Sequence, residues 1–150
     1  MKIKRVLTDD ECLICDKFLS DLNKYESVHD PVLNGDFKFS EIHKRSLKND
    51  FVYIAMALEG DKHIGYVFSY LKTSKGKVHT TNVVEIEALF VEDGYRKQGV
   101  GKALIESVDN WAKDSFGDYV IELHAINNNS NSMAFYKHLG FNEVRTVFRR

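Results

Sequence analysis

Proline is almost missing from these 150 residues; Pro31 stands alone. No Gly/Ser-rich linker, low-complexity tract or internal repeat divides the chain, so one domain over residues 1–150 is expected. Cysteine is scarce too. Cys12 and Cys15 form a single C-x-x-C inside a segment that reads as helix. It lacks the strand–helix–strand setting of a thioredoxin-like redox motif, and there is no second pair to complete a zinc site, so a packing role is expected. The six histidines have no metal-ligand spacing, and no metal is expected. Neither sign of charge dominates: 21 Lys+Arg against 22 Asp+Glu leave a net −1, which excludes a global field for nucleic acid or an anionic membrane. No apolar run is long enough to span a bilayer, and none follows Met1-Lys2-Ile3-Lys4-Arg5 as a signal region would. A soluble, cytoplasmic protein is expected.

What is present suffices for a core. Hydrophobic residues make up 43% and charged residues 29%, a globular balance at a length that needs no disulfide or metal staple. Ile3 to Leu7 reads as a short strand, and Thr8-Asp9-Asp10-Glu11 fits a capping box opening a helix whose stripe continues through Cys15, Phe18, Leu22 and Tyr25. Glu26 to Phe39 has turn chemistry and is a candidate lid, with a short helix near Ile42 to Leu47 after it. Phe51 to Leu58 and His63 to Leu71 read as an antiparallel hairpin turning at Glu59-Gly60-Asp61. In the next strand, Val83 to Val91, alternation puts Glu85, Glu87 and Leu89 on one face and Val84, Ile86, Ala88 and Phe90 on the other. Gly99 to Phe116 reads as an amphipathic helix, Tyr119 to Ile126 as a strand, Ser130 to Leu139 as a helix and Phe141 to Phe148 as a final strand. The order is mixed α/β: antiparallel pairs early, a βαβ unit late.

Between the strand and the long helix stands Arg96-Lys97-Gln98-Gly99-Val100-Gly101. Glycines that open a helix let unpaired first-turn N–H groups and the positive end of the helix dipole come close to an anion, and Arg96 and Lys97 add cationic character. A Walker A loop is excluded, because Ala103 follows Gly101-Lys102 and Arg96 stands where its first glycine belongs. A dinucleotide fingerprint fails as well, since Leu104 occupies its third glycine position.

A second segment, Asn129-Ser130-Asn131-Ser132-Met133-Ala134-Phe135-Tyr136 followed by Lys137-His138-Leu139-Gly140-Phe141, completes a pattern in the C-terminal half. Together with the stretch from Glu85 to Leu104, it resembles the GNAT superfamily of acyl-CoA-dependent N-acetyltransferases. The turn is similar to that family's [QR]-x-x-G-x-[GA] pyrophosphate loop, and the later segment looks like its N-x-x-[AS]-x-x-[LF]-Y-x-x-x-G-F motif. The N-terminal half is similar only in element order. The resemblance implies a single-domain GNAT-like α/β fold with a mixed, mostly antiparallel sheet flanked by helices. It also implies acetyl-CoA as co-substrate, held by Arg96, Lys97, Gln98, Gly99, Val100, Gly101 and Lys102. Main-chain groups of Leu89, Phe90 and Val91 would polarise the acyl carbonyl.

Acetylating an amine requires removal of its proton and a proton for the departing thiolate. Glu85 or Glu87 would serve as base, since relatives often use a carboxylate on this strand. Tyr136 would serve as the acid. Ser132 falls at the motif's small residue. Asn129 would either bond the pantetheine arm or cap the last helix. Tyr25 and His29 fall where relatives place substrate-selecting loops, and His124 is expected to be structural. Acidic residues near the proposed site, with Glu92 and Asp93 among them, favour a small cationic amine as acceptor. A protein N-terminus or lysine, or a non-catalytic acyl-CoA-binding role, are the alternatives. Dimers are common among the relatives, which leaves a homodimer open.

Overall fold

The computed structural model describes all of residues 1–150. Strand β1 (Lys2–Arg5) leads into helix α1 (Asp9–Ser27), followed by the short α2 (Ile42–Ser46). The sheet continues with β2 (Val52–Glu59), β3 (Lys62–Thr73) and β4 (Asn82–Val91); α3 (Val100–Phe116), β5 (Tyr119–Leu123) and α4 (Ser130–His138) complete the chain's regular structure. The five strands lie in sequence order, antiparallel except for the parallel pair β4 and β5, which α3 connects. This is the expected mixed, mostly antiparallel sheet with its late βαβ unit.

Helix α1 begins as its capping box requires. The Glu11 main-chain N–H donates to Thr8 Oγ1 at 3.3 Å, and the Glu11 carboxylate accepts from the Thr8 N–H and, at 2.8 Å, from that of Leu7. It also pairs with Lys4 on β1. The helix runs two residues past Tyr25, so Glu26 lies on its last turn and not in the following turn segment.

Each face of the sheet carries a core. Cys12, Cys15 and Phe18 of α1 pack on Ile54, Met56, Tyr66, Phe68, Ala88 and Phe90. Both cysteines are buried free thiols, matching the packing role expected of them. On the other face the α3 stripe, Val100, Leu104, Ile105, Val108 and Ala112, covers Ala55, Ala57, Ile64, Val67, Val84 and Ile86. Leu104 is fully buried, and truncating it to Ala would cost about 2–5 kcal/mol.

Two expectations fail. Strict alternation along β4 breaks at Glu87: Phe68 pairs with Ala88 but Ser69 with Ile86, leaving Glu87 as the extra residue of a bulge. Val84 and Ile86 therefore share the α3 face with Leu89 and Val91, while Ala88 and Phe90 face α1. Glu85 and Glu87 remain together on the α1 side, both reaching Tyr70 Oη at 3.2 and 3.3 Å. The second failure is the final strand. Residues 141–150 form no strand and, past the Phe141 N–H, make no main-chain hydrogen bond. Alternating residues need a neighbouring ladder, and here Val144, Val147 and Phe148 stay exposed while Arg149 forks onto Asp30 at 2.7 and 3.1 Å.

Candidate active site

Strand β5 pairs with β4 only as far as Ile86, opposite Leu123. Beyond that point the two part, and residues 87–91 keep β3 on one side with no strand on the other. The gap opens into a cleft of about 280 Å³, walled by β4 from Ile86 to Val91, the turn before α3, the segment after β5, α4 and the end of α1. The bulge falls at this mouth and re-aims the backbone there.

At one end of the cleft the backbone before α3 takes the left-handed conformation twice, at Lys97 (φ 60°) and at Gly99 (φ 84°), the helix N-cap. No side chain caps α3, and none of the main-chain N–H groups from Lys97 to Lys102 donates to a protein acceptor. Such a run of unpaired donors at a helix N-terminus forms an anion cradle. Gly101 has its own reason to be glycine: a Cβ there would meet Phe135 Cζ at 3.0 Å, so α4 could not lie as close. Arg96 lines the cleft and also fastens the turn. Its Nε donates to the Val91 carbonyl at 2.8 Å, its Nη1 pairs with Asp93 at 2.9 Å, and its guanidinium lies 4.6 Å from the Tyr25 ring centre. Lys97, Gly99, Val100, Gly101 and Lys102 line the cleft; Gln98 turns its amide to the Gly94 carbonyl instead.

Tyr136, on α4, lines the same cleft near Asn129 and Ser132. Burial, reinforced by the Glu26 carboxylate, pushes its phenol up to about 12, so it holds its proton throughout the neutral range. Asn129 is 5% exposed and caps α4, its Oδ1 accepting the Ser132 N–H at 3.3 Å. Of its two readings, the cap is the one formed within the protein, and the residue still borders the cleft.

The two strand carboxylates differ. Glu85 is 3% exposed and committed to neighbours, with His124 Nδ1 at 3.0 Å, Lys72 Nζ at 3.3 Å and Tyr70 Oη at 3.2 Å. It does not line the cleft, whereas Glu87 is exposed and does. A third carboxylate, Glu26, joins Glu87 there, and burial together with the Glu87 charge raises its proton affinity. Sequence reasoning missed Glu26. Its signal was its place four residues after Leu22, continuing the stripe of α1. Tyr25 lines the cleft, but His29 stands behind it, edge-on to the Tyr25 ring at 5.8 Å with its carbonyl taking the Asn128 amide.

A cleft with an amide cradle and cations at one end and carboxylates at the other suits a ligand anionic at one end, meeting a cationic one. The comparisons with known proteins agree. The model of the Acetyltransferase (GNAT) family matches residues 16–141. An uncharacterized N-acetyltransferase of Methanocaldococcus jannaschii is 36% identical over 70 residues, 47% of this chain and 30% of that protein. Aminoglycoside N(6')-acetyltransferase type 1 of Klebsiella aerogenes is 31% identical over 98 residues, 64% of this chain and 62% of that one. The chain thus spans less than two thirds of either relative's length. Among solved structures, a mutant of the Bacillus halodurans protein BH1408 superposes with a TM-score of 0.86 at 17% identity, covering 100% of this chain and 98% of that one. The aminoglycoside N-acetyltransferase AAC(6')-Iy in complex with CoA gives 0.66 at 20%, covering 99% and 98%. These two share the fold. No helix here is long and apolar enough to cross a membrane.

Proposed function

The chain belongs to the acetyltransferase (GNAT) family, and we propose that it transfers the acetyl group of acetyl-CoA to a primary amine of a small molecule. The observation that carries this reading is the run of free N–H donors from Lys97 to Lys102, opening onto the cleft that also holds Tyr136 and Glu87. Lys97 and Lys102 add charge beside the donors, which suits the coenzyme's diphosphate. The main chain of Leu89, Phe90 and Val91, freed from β5, lies along the path from cradle to carboxylates and is the candidate for polarising the acyl carbonyl.

Acetyl-CoA supplies an activated thioester; the protein supplies placement and proton transfers. An alkyl ammonium has a pKa of about 10 and must lose a proton before it is nucleophilic. Glu87 is the preferred base, because it faces the cleft while Glu85 is engaged with Lys72 and His124. Tyr136 Oη is the proton donor to the departing sulfur. The N–C bond forms as the C–S bond breaks. The nitrogen gives up two protons in all, one through the carboxylate to solvent and one replacing the proton lent by Tyr136. The products are the acetamide and the free thiol.

Titration calorimetry with acetyl-CoA, followed by thiol release with primary amines, tests the proposal. Saturable binding and amine-dependent release are expected. Absence of any binding would remove the acyl donor and with it the proposed activity.

A further inference from the structure

A second groove, of about 260 Å³, lies beside the cleft between α1, the segment after it and the sheet. Leu19, Leu22, Phe39, Ile42 and Phe68 supply its apolar walls. Its polar lining is Asn23, Glu26 and Glu87, and those two carboxylates also line the main cleft. The groove therefore has apolar walls, and its charged groups, both anionic, stand at the junction with the cleft.

The outer wall is built in place. Ser20 Oγ accepts the Phe39 N–H at 2.9 Å, and the buried Asp16 accepts the Glu41 N–H at 2.9 Å and the His43 N–H at 3.3 Å. Asp16 also pairs with His43 Nδ1 at 2.6 Å. The end of the candidate lid at Phe39 and the start of α2 after it are thus stapled to α1, and Phe39 and Ile42 face the groove from these held positions.

Resting on the acetyltransferase reading, we infer that this groove is the acceptor site and that its substrate is a monocationic arylalkylamine. The single ammonium sits between Glu26 and Glu87, and the aromatic body lies against Leu22, Phe39 and Phe68. Charge and polarity select this class. One positive group satisfies the carboxylate pair, and an apolar body gains from burial along walls that offer almost nothing to hydroxyl groups. A polycationic aminosugar would bring further ammonium and hydroxyl groups against Leu19, Ile42 and Phe68, where they would lose water without gaining partners.

Purified protein with acetyl-CoA, assayed by thiol release, should show kcat/KM for 2-phenylethylamine above that for sisomicin by at least about tenfold. Phe39→Ala should raise KM for 2-phenylethylamine on the order of tenfold while leaving the acetyl-CoA KM in place, and Phe39→Leu should recover part of the loss. Calorimetry with acetyl-CoA separates the two levels of failure. If acetyl-CoA does not bind, the acetyltransferase reading falls. If it binds but sisomicin is preferred, neither amine turns over, or Phe39→Ala is silent, the acceptor assignment alone is overturned.

Discussion

Tyr136 is the residue whose environment best suits the role proposed for it. With burial and Glu26 holding its phenol at about 12, it remains a donor where an exposed tyrosine would begin to ionise. Tyr136→Phe should lower kcat on the order of 10²-fold while the acetyl-CoA dissociation constant, measured by calorimetry, stays within about twofold. The pH profile carries the sign of the same effect. The alkaline limb from Tyr136 should lie above pH 10 in the native protein, and Glu26→Gln should move it downward by removing the nearby negative charge. Glu26 acts at the other end. Its proton affinity is raised, so as pH falls its charge is lost earlier than that of an exposed carboxylate, and the KM for a cationic amine should climb correspondingly early. An acid limb unchanged by Glu26→Gln would detach this residue from acceptor binding.

Among the elements, the turn into α3 was readable because glycine spacing states its own backbone requirement. Gly99 sits at φ 84° and Gly101 against Phe135, so the two glycines serve different ends. Gly99→Val should cost about 1–2 kcal/mol in denaturant unfolding and weaken acetyl-CoA binding, because a β-branched residue resists the left-handed conformation on which the donor array depends. The helices were readable for a similar reason: α1 carries its capping box and α3 its apolar stripe. What could not be read depends on partners. The bulge is fixed by the pairing of Phe68 with Ala88 and Ser69 with Ile86, a property of two strands at once. The unformed strand after Phe141 has the composition without the ladder. The engagement of Glu85 depends on Lys72, Tyr70 and His124, which reach the strand from elsewhere in the chain, whereas Glu87 shares only Tyr70 among them.

For the whole molecule, stability should fall in stages with acid. His43 is fully buried, and its proton affinity is lowered by burial against the opposing pull of Asp16. Its contribution is therefore present above its ordinary value near 6.5 and declines as pH drops below it, because the unfolded chain takes up the proton first. Glu11 acts lower down. Burial alone would raise it, but the Leu7 and Thr8 N–H groups and Lys4 outweigh that and hold it at about 2, below its ordinary 4.5. Its contribution is complete above about 4.5 and lost as pH falls towards 2. Thermal melts at pH 7, 5 and 3 should show both declines, and Glu11→Gln should flatten the lower one.

The extra residue at Glu87 makes side-chain parity a local quantity in this sheet. Odd-numbered positions before it and even-numbered positions after it point towards α1. Deleting that one residue would thus do more than shorten a strand. The ladder would close to plain alternation with Phe90 still towards α1 and Leu89 still towards α3, the bend that the bulge puts into β4 beside the cleft would go, and the mouth between β4 and β5 would lose the carboxylate that marks it.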